Sequence, residues 1–350
     1  MIPRRITIYS LMIVFVLLGT GFTYHSVLAD SGPGTCQSFN VPVGLGPGQP
    51  DQYTIYGELC NPTSGPSQTV QLLVAGASYS HVYWDFPYQP QTYSYVRALN
   101  AVGYSTFNID RIGVGNSSHP LSALVTLDAD AYSVHKVVQG LRTGTIGGQT
   151  FAHVLLVGHS LGSLTSWIEA GTYKDVDGVI ITGLTHHFNT IQLTTVVVPS
   201  FYPAQLDPRF AGKGLDTGYL TSRPGTRGND FYYVPGADPQ AIATDEATKE
   251  TVTSGELASF APPFINGISE RITVPVFVVM GQQDNVFCAP LAINCSSNAT
   301  LQQAEAPFYA PQAQLQVAVI PNAGHDINLH LAAPTWFAAG TKWALQHVAP

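Results

Sequence analysis

The chain has 350 residues, 45% of them hydrophobic and 10% charged, with 14 Lys and Arg against 22 Asp and Glu and a formal net charge of −8. So low a charged fraction excludes a solvated disordered chain, and an acidic balance without a basic stripe excludes recognition of a nucleic-acid backbone. The length fits two domains or one α/β domain carrying an insertion, and either buries a sizeable core.

Arg4 and Arg5, the apolar run from Ile6 to Leu18, and Val27-Leu28-Ala29 follow the order of a secretory signal peptide. This predicts cleavage after Ala29 and a secreted, extracellular mature chain. The alternative is an uncleaved anchor. The strongly apolar run is shorter than the roughly 20 residues of a spanning helix. No second run of that length follows, so no stable membrane span is expected after cleavage. Cys36 and Cys60 lie near the mature N-terminus, and Cys288 and Cys295 share one short stretch. In an oxidising compartment this grouping favours Cys36–Cys60 and Cys288–Cys295 disulfides over free thiols. With no C-x-x-C pair, neither a zinc site nor a redox motif is expected. Asn116, Asn294 and Asn298 stand in sequons, which matter only in a glycosylating host.

Strands and helices alternate along the mature chain. Residues 52–59 read as a strand, 69–75 (TVQLLVA) as a buried strand, 93–101 as a helix and 105–110 as a strand. Residues 128–142 read as a helix with Asp128 and Asp130 near its N-terminus, where acids suit the dipole. A strand at 153–157, a helix at 161–170 and a strand at 179–182 follow. After a break come strands at 276–280 and 315–320 and a helix from about 335 to 347. Short β-branched runs separated by helices predict a mostly parallel sheet with helices on both faces. Residues 184–268, rich in Pro, Gly, Thr and Tyr, interrupt the rhythm and are expected to form a lid insertion. The core is then 30–183 plus 269–350.

Gly158-His159-Ser160-Leu161-Gly162 is a G-x-S-x-G pentapeptide with an apolar strand before it and a helix after it. A sharp strand-to-helix turn lifts the serine hydroxyl to the carboxyl ends of the strands, and the following helix offers free N–H groups to an oxyanion. Ser160 is therefore the nucleophile candidate. His325, in the loop after 315–320, is the candidate base, with His330 as competitor. His159 is expected to point away, and His153 lies at the wrong end of its strand. Asp284 follows the strand at 276–280 and is the candidate acid. No acid directly follows the strand at 179–182, and Asp326 reads as a loop cap.

At these residues the chain resembles the α/β-hydrolase superfamily, in its serine-nucleophile, esterase- and lipase-like branch. Leu73-Val74-Ala75-Gly76-Ala77 is similar to the family's strand-3 turn, with Ala75 where His is common. The match implies backbone oxyanion donors at Ala77, with Ser78 as alternative, and at Leu161. Asp110-Arg111-x-Gly113-x-Gly115-x-Ser117 is similar to the strand-4 signature, where Asp110 is structural. The resemblance implies an α/β-hydrolase fold and two-step acyl transfer without cofactor or metal. Serine at the elbow argues against the dehalogenase and epoxide-hydrolase branches, which use Asp. The expected substrate is a small uncharged, apolar carboxylic ester, lactones included. A peptidase, amidase or carbon–carbon bond hydrolase on the same triad is the second reading, and a ligand-binding protein retaining the fold is the third. Ser78, Tyr79, His81 and Trp84 after the oxyanion turn, and His186 and His187 at the entry to the insertion, are the pocket candidates.

Overall fold

A computed structural model describes residues 34–288 and 292–350; the expected signal peptide at 1–29 lies outside them. The strands are β1 (Thr35–Val43), β2 (Tyr53–Asn61), β3 (Thr69–Val74), β4 (Ser105–Ile109), β5 (His153–His159), β6 (Gly178–Thr182), β7 (Phe201–Pro203), β8 (Tyr219–Ser222), β9 (Val252–Thr253), β10 (Val276–Gly281) and β11 (Gln316–Ile320). The main helices are α1 (Tyr95–Ala101), α2 (Leu127–Thr143), α3 (Leu161–Thr172), α4 (Pro239–Thr248), α5 (Asn298–Glu305) and α6 (Ala333–His347).

Eight strands form one sheet in the order β1-β2-β4-β3-β5-β6-β10-β11. The β1/β2 and β2/β4 pairs are antiparallel and the rest parallel. Every residue of β3, β4, β6 and β10 is buried, which is why β6 and β10 read as nearly unbroken apolar runs rather than alternating ones. Helices cover both faces, α2 packing on α3 and α1 on α6. Thr126 caps α2 by accepting from the Ala129 amide, and Gly144 ends it in the left-handed region. Among the described residues no helix is long and apolar enough to cross a membrane.

β1 is a strand that the sequence pattern had not marked. Its first residues are exposed and Pro42 sits within it, as only an edge strand tolerates. Its register places Cys36 opposite Cys60, and the two are joined, as are Cys288 and Cys295. Between β6 and β10 the chain builds a small sheet of order β7-β8-β9 together with α4. This segment is not a loose flap: Arg227, Asp245 and Glu256 within it are all buried.

The chain leaves β3 for β4 on one side and reaches β5 on the other. The carboxyl ends of β3 and β5 therefore flank the point where the direction of winding reverses, the place where open α/β sheets form a crevice.

Candidate active site

Ser160 joins β5 to α3 with φ 51° and ψ −117°, a strained geometry for a residue with a side chain. Only glycine fits at the flanks. A β-carbon on Gly158 would lie 2.5 Å from the Gly162 carbonyl oxygen, and one on Gly162 would lie 2.2 Å from that of Val74.

The Ser160 hydroxyl lies 2.9 Å from His325 Nε2, and His325 Nδ1 lies 2.9 Å from Asp284 Oδ2. Asp284 Oδ1 accepts from the Val286 and Phe287 amides at 2.8 and 3.0 Å. Asp284 is fully buried and His325 nearly so. Burial alone would raise the Asp284 carboxyl, but the His325 ring and the two amides outweigh it and hold it below the usual range. Burial would likewise lower His325, but the Asp284 carboxylate outweighs it and the net shift is upward. The Asp284 carboxylate thus favours the charged form of the imidazole that faces the serine.

His330 and Asp326, neighbours of His325 in sequence, are buried and do different work. The His330 Nε2 accepts from the Gly324 and Tyr233 amides, both at 3.0 Å, and its Nδ1 lies 2.8 Å from the Asp326 carbonyl. That pattern fixes a neutral tautomer and pins the loop bearing His325. His159 lies beside His325, the two rings 5.0 Å apart. Its Nε2 is 3.2 Å from Asp326, which also accepts from the Tyr79 hydroxyl. Burial pushes the His159 ring down and the Asp326 carboxyl up, so that each disfavours its charged form.

The turn after β3 is braced from beneath. Arg111 Nη1 donates to the carbonyls of Ala75 and Gly76, both at 2.6 Å, while its Nε and Nη2 bond Glu256 at 3.2 and 2.9 Å. In a trans peptide the carbonyl and the next N–H point opposite ways. Holding the Gly76 oxygen therefore aims the Ala77 N–H away from Arg111. Ala77 and Leu161 line the same cavity as Ser160, and among the described residues neither amide is taken up by another hydrogen bond. Arg227 adds a second brace, bonding Ser78 Oγ at 3.0 Å and lying over the Tyr79 ring at 4.2 Å.

A cavity of about 250 Å³ opens beside the serine. Tyr79 is on its wall, but five other pocket candidates are not. Ser78 is turned under the loop toward Arg227. His81 is held by Asp110 at 2.7 Å, and Trp84 is core, packed on Tyr95 and Trp336. His186 is stacked between Trp167 and Phe308 and bonded to Glu305 and Ser269. His187 packs on Phe308. The apolar wall comes instead from Leu193, Val197, Phe201, Phe231, Leu257 and Phe260 of the insertion, with Val286 and Phe287 beyond β10. No periodicity marks these residues; the one available signal was the density of apolar and aromatic residues in a stretch otherwise polar and rich in turns.

A serine on a strained strand–helix turn, in contact with a histidine that contacts a buried carboxylate, all at the carboxyl edge of a mostly parallel sheet, is the arrangement that nucleophilic chemistry at a hydroxyl requires. The chain belongs to the alpha/beta hydrolase family, whose model matches residues 71–340. Among solved structures, it is similar to a monoacylglycerol lipase of Paleococcus ferrophilus, at 16% identity and TM-score 0.55, over 84% of this chain and 99% of that one. A soluble variant of monoglyceride lipase from Saccharomyces cerevisiae, in complex with a substrate analogue, is 17% identical with TM-score 0.57, over 88% and 96%. Est1E of Butyrivibrio proteoclasticus with bound ferulic acid is 17% identical with TM-score 0.51, over 86% and 98%. No match to a curated protein sequence is found.

Proposed function

We propose that this protein is a secreted serine hydrolase that cleaves small uncharged, apolar carboxylic esters, lactones included, through an acyl-enzyme on Ser160. The observation that carries the reading is the continuous Ser160–His325–Asp284 contact opening on an apolar cavity. His325 takes the Ser160 proton as the oxygen attacks the ester carbonyl, and Asp284 orients the ring and stabilises its charge. The Ala77 and Leu161 amides hold the oxyanion. His325 then protonates the leaving alcohol, and water activated by the same ring releases the acid. Residues 184–268 act as the lid that excludes water and shapes the acyl site. Lipase and esterase structures among the similar folds support an ester substrate. The test is direct: hydrolysis of short-chain p-nitrophenyl esters against the matching p-nitroanilides. Turnover of the anilides at comparable rate would favour an amidase instead.

The pH profile follows from the base. His325 works only when neutral, and its pKa lies above the usual histidine value. The kcat/KM is therefore expected to fall as pH drops through a limb placed above about 6.5. Asp284→Asn removes the upward influence and leaves burial, so the limb moves to lower pH. That variant also presents N–H where Nδ1–H needs an acceptor, and kcat is expected to fall about 10³–10⁴-fold. A pH series on both proteins checks the direction.

Chain-length preference should follow the wall. Phe260→Ala lengthens the cavity and is expected to raise kcat/KM for octanoyl over acetyl esters about tenfold, a modest gain per seated methylene. An unchanged ratio across the ester series would place the acyl chain elsewhere.

A further inference from the structure

His325 is carried to Ser160 from a distant strand. The sheet order sets β11 three strands from β5, a distance of about 14 Å at the usual strand spacing. The loop after β11 therefore reaches back across β10 and β6 to bring its imidazole to the serine. Pairing in the sheet fixes β11 but not the tip of that loop. Asp284, just beyond β10, holds one side of the His325 ring. The contact that reaches both β3 and β5 comes from the next residue, Asp326.

Asp326, read from the sequence as a loop cap, turns its side chain out of its own loop. Oδ1 lies 3.2 Å from Nε2 of His159, the residue before the nucleophile, and Oδ2 accepts from the hydroxyl of Tyr79, two residues after Ala77. One carboxyl thus joins the loop of His325, the elbow and the turn after β3. Asp326 and His159 are fully buried and Tyr79 nearly so. Each end of the bridge is itself held. The Asp326 amide donates to the Phe231 carbonyl at 3.2 Å. Thr182 gives its hydroxyl hydrogen to the Gly158 carbonyl at 2.9 Å, so its oxygen accepts from His159 Nδ1 at 3.1 Å. Asp245 also lies 3.2 Å from the Tyr79 hydroxyl, but Arg227 and Tyr232 already donate to the same oxygen at 2.8 and 2.9 Å. The Tyr79 hydrogen is therefore left for Asp326.

We propose that Asp326 is a positioning residue for acyl transfer, a buried tie that keeps Ser160, His325 and the Ala77 amide in register. The inference rests on the hydrolase reading above. Asp326 is not on the cavity wall, so it acts through the residues it holds rather than on the substrate. An apolar side chain would fill the same space without the cost of burying a carboxyl. What the carboxyl adds is direction: two hydrogen bonds that fix where the three segments meet, at the level of precision that near-attack geometry demands.

The experiment measures kcat and KM on a p-nitrophenyl ester, and the rate of fluorophosphonate labelling of Ser160, in the wild type, Asp326→Ala, Asp326→Asn, Tyr79→Phe and the Asp326→Ala/Tyr79→Phe double variant. Asp326→Ala cuts both bonds. Its kcat is expected to fall about 10²-fold, the cost of a misplacement of about 1 Å, with labelling slowed in step and KM changed little. Tyr79→Phe cuts one bond, keeps the ring on the wall, and should lower kcat about tenfold. In the double variant it should cost nothing further, because the bond is already gone. Asp326→Asn should recover most of the kcat: its amide oxygen accepts from Tyr79, and its NH2 donates to His159 Nε2. A merely structural carboxyl would lower the melting temperature of these variants while kcat held. Unchanged kcat in folded Asp326→Ala, or single losses that multiply in the double variant, would overturn the proposal. If Asp326→Ala does not fold, full kcat in Tyr79→Phe overturns it alone. A wild type inert to both ester and probe would overturn the hydrolase reading and this role with it; an active wild type matched by Asp326→Ala would overturn this role only.

Discussion

Replacing Ser160 by Ala is expected to lower kcat/KM on an activated ester by about 10⁴–10⁶-fold, the range seen when the nucleophile of a coupled triad is removed. The chain fold should be untouched, because Ala keeps the β-carbon in the same strained turn and loses only the hydroxyl that contacts His325. A fluorophosphonate probe should give a single adduct on Ser160 in the wild type and none in the variant. Mass mapping of the adduct separates two failures. An adduct on another residue would mean that the nucleophile lies elsewhere. A folded wild-type protein that never labels would mean that the cavity beside Ser160 is closed to the probe, or that the fold is kept for binding.

Arg111 is the second position with a large expected effect. It is buried, its cation spans the Ala75 and Gly76 carbonyls on one side and Glu256 on the other, and it thereby sets the direction of the Ala77 N–H. Arg111→Met is expected to lower kcat about 10²–10³-fold, the cost of one oxyanion donor, with KM changed little. It should also lower stability by about 3–5 kcal/mol, since it leaves the Glu256 carboxylate buried without its partner. Loss of stability alone would not distinguish a positioning role. Glu256→Gln supplies the contrast: it weakens the same buried pair but leaves the grip on both carbonyls, so stability should fall while kcat holds. If both variants lose kcat equally, Arg111 acts only as a structural ion pair between the insertion and the core. The contact was not foreseen from the sequence, where Arg111 stood only as part of the strand-4 signature. Its partner Glu256 stands 145 residues away, and no local pattern links the two.

The particular residues show where legibility ends. Ser160, Asp284 and His325 could be read because each is placed by its own neighbourhood: an apolar strand, a short loop, and a polar residue at the strand's carboxyl end. Five of the six pocket candidates lie off the cavity for the opposite reason. His81, Trp84 and His186 sit in loops beside the rim, but a loop position does not decide which way a side chain turns. His81 turns to a buried aspartate, Trp84 into the seam between α1 and α6, and His186 into an aromatic stack closed by Glu305. Each found a partner distant in the chain that satisfied it better than a cavity wall would.

By itself, then, the amino-acid sequence determined the alternation that makes a parallel sheet, the elbow at Ser160, the chain order of the three contacting residues and the pairing of four cysteines. These rest on short-range physics: burial on both faces of a strand, glycine where a β-carbon has no room, and the reach of a loop. Only the tertiary structure decided the edge strand β1, the braces on the turn after β3 and the apolar wall of the cavity. These depend on which of many polar and aromatic side chains meet across the insertion and between helices, and that choice is made by packing and hydrogen-bond satisfaction over the whole chain.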